Sequence, residues 1–381
     1  MPITSRKRRW LIGLSLLAVL LLSAAWWIDR QLEPERLTAT VLQRVCKSLQ
    51  LDLRFEGKPE YALKPEPRLL IPNFSARGLD GKVFLSARHA EISLPWATIT
   101  GGEPVVTRIE LDRPVLDVAA MQRWLASRPA VPFKIPTLTN GLQVRDGTVI
   151  GDGFAVRSLA LALPRLQDAQ RAELSASGKL ETGDSPIAFK VMLDIASAGL
   201  DSDFKLDGNF ELPPAETSKD RDAQVRGAGH YAVKDTFTTR FDSLRVTGTP
   251  PLPDISGRGH VDVSDALTMQ FTGVLVDWPK GWPALPQPLA DYTKNLPVNV
   301  AYSGKPDFGD PLSLTVVREE TELRASVRIA ELNSWMAQGT AASPLPPLNG
   351  SLSTPSLVFD DVKLEGVQIQ ISDSPAAAST P

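Results

Sequence analysis

The sequence predicts a mainly β protein in which a membrane-spanning helix and a short amphipathic helix lead into a long antiparallel sheet. The first observation is an uncharged run at residues 10–28, which is about long enough to cross a bilayer as a helix. The second is an alternation of apolar and polar residues that recurs along the rest of the chain. The third is the scatter of 32 prolines and 26 glycines, which is typical of many turns joining short elements.

The N-terminal segment predicts a single-pass anchor with a cytoplasmic N-terminus. Residues 1–9 form a basic stub, and basic flanks stay on the cytoplasmic side of a membrane. Trp10 opens the apolar run and Trp26 and Trp27 close it, where indole rings suit the membrane interface. The bulk of the chain is therefore expected outside the cytoplasm.

A cleavable signal peptide is the alternative for this segment. Its apolar centre is followed by small residues at 23–25, where a signal peptidase cuts. The apolar run continues through Trp27 and Ile28, and this favours a retained anchor.

Residues 34–50 predict a short amphipathic helix. Its apolar side faces either the bilayer or one end of the following domain. The four apolar residues recur at a spacing of four and are Leu37, Val41, Val45 and Leu49. The single cysteine, Cys46, excludes an intrachain disulfide framework.

The pattern of residues 51–371 predicts a domain of roughly fifteen strands, which the anchor would place outside the cytoplasm. The alternation is clearest at 172–181, 187–195 and 204–212, where one face of each strand is apolar and the other polar. Short connections predict that sequence neighbours pair as a meander without long crossover helices.

Several segments interrupt the strand pattern. Residues 119–128 and 330–338 predict about two helical turns each. The Pro-rich residues 278–292 predict a hinge, the charged residues 219–222 an exposed turn, and residues 372–381 a disordered tail.

Composition and motifs point away from catalysis. The net charge of −3 and the absence of a basic cluster outside the N-terminus exclude nucleic acid as an expected partner. The three histidines stand alone in strand-like stretches, and no nucleophile elbow, phosphate loop or metal-ligand spacing is found. We therefore expect no catalytic residue, no metal, no cofactor and no enzymatic activity.

The beginning and the end of the domain carry a recognisable pattern of apolar, Gly and Pro positions. Residues 51–118 resemble the N-terminal region of the AsmA-like family of bacterial envelope proteins, and residues 348–367 are similar to its Gly-rich closing hairpins. The matching pieces are FEG at 55–57, LKPEP at 63–67, LLI at 69–71, AEISL at 90–94 and IELDRPVL at 109–116. The middle of the chain departs from the pattern, and the chain is short for a typical member.

The resemblance implies a twisted antiparallel sheet curled into a groove of the bridge-like lipid-transfer kind. It further implies a protein of the bacterial inner membrane, acting in the periplasm on phospholipid traffic or outer-membrane assembly. At about 4.8 Å per strand, fifteen strands would reach about 70 Å, so we expect an envelope partner protein or a second copy to complete a lipid route.

A sheet with one apolar face must cover that face with another sheet, with itself or with lipid chains. The residues expected to line a lipid groove are Leu174, Phe189, Val191, Leu193, Phe204, Leu206 and Phe210. The alternative is a dry β core in a non-enzymatic scaffold or regulator of envelope assembly that binds protein partners.

Overall fold

The computed structural model describes residues 52–62, 66–78, 80–95, 106–127, 135–182, 185–213, 221–234, 236–250, 252–264, 266–279, 294–305, 308–338, 347–359 and 362–372. The predicted anchor with Trp10, Trp26 and Trp27, the amphipathic helix, most of the Pro-rich break and most of the tail lie outside these residues. Within them, no helix combines the length and the apolar character needed to span a bilayer.

Twenty strands and two helices make up the described chain. The first seven strands are β1 (Asp52–Arg54), β2 (Glu60–Ala62), β3 (Arg68–Arg77), β4 (Val83–Ser93), β5 (Arg108–Asp112), β6 (Val115–Asp117) and β7 (Gly141–Ile150). The next seven are β8 (Ala155–Leu163), β9 (Ala172–Thr182), β10 (Ser185–Ile195), β11 (Asp201–Leu212), β12 (Arg221–Val233), β13 (Phe237–Gly248) and β14 (Asp254–Val263). The last six are β15 (Leu267–Asp277), β16 (Lys294–Gly304), β17 (Leu312–Arg318), β18 (Thr321–Val327), β19 (Asn349–Phe359) and β20 (Val362–Ile371). The helices are α1 (Val118–Ala126) and α2 (Ile329–Gln338).

The strands form one sheet, and it is antiparallel almost throughout. From β7 to β20 each strand pairs with the next in sequence, so the predicted meander is confirmed there. β1 and β2 both pair with β3, and β5 and β6 both lie between β4 and β7. The sheet therefore has fewer ladder positions than strands and spans about 80 Å along its contour.

One crossover contradicts the expectation of a pure meander. β5 and β6 pair with β7 in parallel, and a parallel connection requires a crossover segment. This segment contains α1. Asp117 caps the N-terminus of the helix, because its side chain accepts a hydrogen bond from the Ala120 backbone N–H at 2.8 Å. Trp124 of α1 stacks on Phe84 with ring centroids 4.8 Å apart, so the crossover also covers the N-terminal end of the sheet.

The pairing register collects the apolar residues on one side, which we call the apolar face, and the charged residues on the polar face. Where alternation would carry an apolar residue to the wrong side, a β-bulge restores it. The register shifts between Phe241 and Leu244, and both still pair with apolar-face glycines of β14. These shifts explain why the alternation outside β9–β11 is noisy in sequence.

The sheet is strongly curled. The β7–β8 turn and the β16–β17 connection lie nine ladder steps apart, so a flat sheet would separate them by at least about 43 Å. Yet Lys305 Nζ lies 3.4 Å from Asp152 Oδ2. The backbones of β12 and β13 also approach closely at Gly229. A Cβ added there would collide with the Arg240 carbonyl oxygen of β13.

The strands at 172–181, 187–195 and 204–212 are confirmed as β9, β10 and β11, and the two short helices as α1 and α2. The prediction of an exposed turn at 219–222 is wrong for its last two residues, because Arg221 and Asp222 begin β12 and Arg221 is buried.

Candidate functional site

The seven residues proposed to line a groove all lie on the apolar face of three consecutive strands. Leu193 of β10 pairs with Leu174 of β9 and with Leu206 of β11. Phe189 pairs with Phe210, and Val191 shares their side of β10. Phe204 pairs with Ile195 at the other end of the strands. The structure therefore brings all seven together on one continuous surface.

The central part of this surface is incompletely covered. Among the described residues of β8 to β13, the only buried apolar strand side chains are Ala172 and Phe204. Leu174, Leu193 and Leu206 are half-buried. Since side chains in a packed core are shielded on all sides, these strands do not have the burial of a dry sandwich interior.

Aromatic rings continue the apolar face across β11, β12 and β13. Phe204 meets Phe241 edge to face with centroids 5.4 Å apart and lies 6.4 Å from Tyr231. Tyr231 also lies 6.4 Å from Phe237, which is 42% exposed. Its hydroxyl donates to the Gly199 carbonyl at 3.0 Å, so the polar tip is satisfied at the edge of the sheet.

A cavity of about 840 Å³ lies over the same strands. Each strand from β9 to β13 contributes three consecutive residues to its lining, one from the apolar face and the two polar-face residues beside it. On β10, for example, Met192, Leu193 and Asp194 line the cavity, whereas Val191 and Ile195 do not. The side chains around the cavity therefore belong mostly to the polar face.

The polar face is crossed by exposed ion pairs. Arg171 holds both carboxylate oxygens of Asp194, with Nε and Nη2 at 2.8 and 2.9 Å. Arg226 pairs with Asp207 at 3.2 Å. Pairs this exposed add little stability and keep the face solvated.

All three histidines also lie beside aspartates on this face, a feature that sequence reasoning missed. His230 contacts Asp203 at 2.8 Å and Asp201 at 2.9 Å, and these contacts, the hydrogen bond to Asp203 first, raise the pKa of His230. His89 lies 3.5 Å from Asp112 and His260 4.0 Å from Asp262. Each aspartate on β11 or β5 is distant in sequence from its histidine, so no local motif could have revealed the pairing.

The described residues contain no group of three histidine, cysteine or acidic side chains arranged to hold a metal ion.

The burial of Arg221 is another feature that sequence reasoning missed. It pairs with Leu212 on the apolar side of β12 and is 4% exposed. Its Nη1 donates to the Pro213 carbonyl at 3.3 Å, while Nε and Nη2 are buried and have no hydrogen-bond partner among the described residues. Burial lowers its pKa. The signal was present in the sequence, because the alternation of Val225 extends back through Ala223 to Arg221.

Comparison of the chain with protein-family models, curated proteins and solved structures finds no match.

Proposed function

We propose that the protein is an AsmA-like, inner-membrane-anchored periplasmic protein that binds or conducts phospholipid acyl chains along its apolar face. In this proposal the curled sheet forms a hydrophobic groove, and lipid transport supports assembly of the outer membrane. The single observation that carries the proposal is the half-buried apolar surface of β9 to β11, with Leu174, Leu193 and Leu206 at its centre.

Acyl chains have the chemistry to cover this surface. Each methylene removed from water contributes about 0.8 kcal/mol, so a chain of about sixteen carbons gains about 12 kcal/mol before its ordering costs. The protein needs no reactive group for this role. A contour of about 80 Å exceeds the thickness of a bilayer, and an envelope partner protein or a second copy would extend the route further.

A benzophenone side chain placed in the surface tests the proposal. We would introduce it at Leu193 in the full-length chain, irradiate living cells grown with radioactive phosphate, and measure radioactivity on the purified protein. Position 192 is the matched control, because Met192 is the next residue of the same strand, faces the other way and is 58% exposed. We expect labelled phospholipid on the protein from position 193 and background from position 192.

Equal labelling at both positions, or none at either, would contradict lipid binding on this face. Lipid extraction gives a second measurement: Leu193→Asp should lower the amount of co-purifying phospholipid, and Met192→Asp should leave it unchanged. A variant that unfolds would instead assign Leu193 to a closed core.

The second candidate function is a scaffold that binds protein partners through its polar face. The cavity over β9 to β13 favours it, because polar-face side chains make up most of its lining. Protein crosslinks from position 192, with no lipid from position 193, would support this alternative.

A further inference from the structure

Arg221 combines two properties that rarely occur together in a folded protein. Its guanidinium is buried on the apolar side of the sheet, and two of its three nitrogens have no hydrogen-bond partner in the part of the chain that the structure describes. Buried charges are ordinarily paired, because an uncompensated ion in a low dielectric is unfavourable. The arrangement is therefore incomplete as it stands.

The free nitrogens form one binding edge. Nε and Nη2 direct their N–H bonds in parallel from the same side of the guanidinium, and this fork matches two oxygens of a carboxylate or phosphate. The third nitrogen, Nη1, is engaged with the Pro213 carbonyl, which holds the group in place.

Arg171 shows the same edge in use. Its Nε and Nη2 bind the two oxygens of Asp194 at 2.8 and 2.9 Å on the exposed side of the sheet. No oxygen of the described residues occupies the equivalent position at Arg221.

The position of Arg221 suits the head group of an amphiphile. Arg221 is the first residue of β12 and lies opposite Leu212, so it stands at the rim of the apolar face. Two residues further along the same side is Ala223, which pairs with Phe210. A chain attached to a group at Arg221 would therefore run directly onto the surface formed by Phe210 and Phe189.

From this geometry we propose that the Nε and Nη2 edge of Arg221 binds the phosphate of a phospholipid whose acyl chains lie on the apolar face. The proposal rests on the proposed function, and it adds a head-group site that orients the lipid with its phosphate at the rim of β11 and β12. Both nitrogens are shielded from water in this conformation, so binding requires neighbouring side chains to shift. The unpaired charge favours that shift.

Photolabelling with the full-length chain tests the proposal. The chain would be placed in nanodiscs of a galactolipid, which contains no phosphate, and exposed to phosphatidylglycerol or diacylglycerol bearing the same photoreactive acyl chain. We expect phosphatidylglycerol to label peptides of β9 to β12 about tenfold more than diacylglycerol does. In Arg221→Met this preference should fall to about one, while diacylglycerol labelling is unchanged.

Two further variants separate binding from structure. Arg221→Lys retains the charge but loses the parallel fork, so we expect it to keep only part of the preference. Arg245→Gln removes a charge from the exposed polar face and should keep all of it. The unfolding midpoint of Arg221→Met should be at or above that of the wild type, because an unpaired buried charge has been removed.

The outcomes are distinct. A phosphatidylglycerol preference that persists in Arg221→Met overturns the head-group site, and equal competition by inorganic phosphate overturns its assignment to a lipid. If Arg221→Met is destabilised, the Lys variant decides: a reduced preference at normal stability supports the site, and a full preference overturns it. Absence of labelling by both lipids would contradict the proposed function itself.

Discussion

The two ends of the sheet and its centre share one pattern of alternation but differ in how far their apolar residues are buried. At the N-terminal end Leu69 and Ile71 are 2% and 0% exposed, and toward the C-terminal end Leu296 is 2% exposed. In the centre, Leu174 and Leu193 occupy equivalent positions on the same face and are only half-buried. Alternation therefore predicts which side a residue faces, but not whether that side is covered.

The cover at each end comes from a different source. At the N-terminal end, Ala120 and Trp124 of α1 pack with Phe84 and Ala76. Toward the C-terminal end, a cluster centred on Leu275, Leu296, Val298 and Val316 is completed by partly buried neighbours that include Trp278. Each cluster needs side chains from several neighbouring strands or from a helix. The described connections between β8 and β13 are turns at the sheet edges and supply no such element.

The largest difference between the regions should appear on truncating a buried end residue. Ile71→Ala should lower the free energy of unfolding by about 2–5 kcal/mol, because it leaves a cavity among Leu69, Ala90 and their neighbours. Denaturant unfolding measures the loss. Val83→Ala, on the neighbouring strand at 38% exposure, is the control and should cost much less. A loss below about 1 kcal/mol for Ile71→Ala would show that the end is no better packed than the centre.

The second prediction concerns the curvature of the centre. In Gly229→Ala the added methyl would meet the backbone of β13, so the sheet must open or the bulge must move. We expect a loss of about 1–3 kcal/mol by the same measurement. Gly199→Ala is the matched control, since its nearest neighbouring atom would be 3.6 Å away. Equal effects of the two substitutions would mean that the close approach at Gly229 does not constrain the fold.

Truncating a central apolar residue should have a smaller effect than either. Leu193→Ala should cost about 1 kcal/mol, because its side chain is already partly in water and leaves little cavity. Met192→Ala should stay within about 0.5 kcal/mol of the wild type. A cost at Leu193 as large as that at Ile71 would remove the distinction between centre and ends, and with it the main support for an open groove.

The smallest effect should be a pH dependence at the exposed His230. Its pKa is raised in the folded protein, chiefly by the hydrogen bond to Asp203, so the folded state favours the protonated imidazole. The contribution to stability is present below the ordinary pKa of 6.5 and is lost as pH rises through the folded-state pKa. We expect the unfolding midpoint to fall slightly over that interval in the wild type. Asp203→Asn and His230→Gln should each flatten this fall. A pH profile that matches the wild type in both variants would argue against the contact.

The face assignment could be predicted from sequence because it is a local property. Every second residue of a strand points the same way, and the choice of Leu174, Phe189 and Phe204 needed nothing more. The alternation of β14 is weak in the sequence because Gly257 and Gly259 occupy its apolar side. Glycine carries no apolar signal, although its small size is what the curled sheet needs there.

Features that depend on distant contacts could not be predicted in the same way. The parallel pairing of β7 and the ion pair between Asp152 and Lys305 each join segments whose approach no local pattern encodes. Arg221 is intermediate, since alternation places it on the apolar side but only the fold leaves its Nε and Nη2 without a partner among the described residues.

The uninterrupted pairing of sequence neighbours from β7 to β20 makes the length of this protein adjustable. Removing or duplicating one hairpin, such as β10 with β11, would keep every remaining strand in its original direction and with its original side inward. Each such event would change the reach of the molecule by about 10 Å. A sheet of this construction can be lengthened or shortened by whole hairpins without a change to any remaining strand.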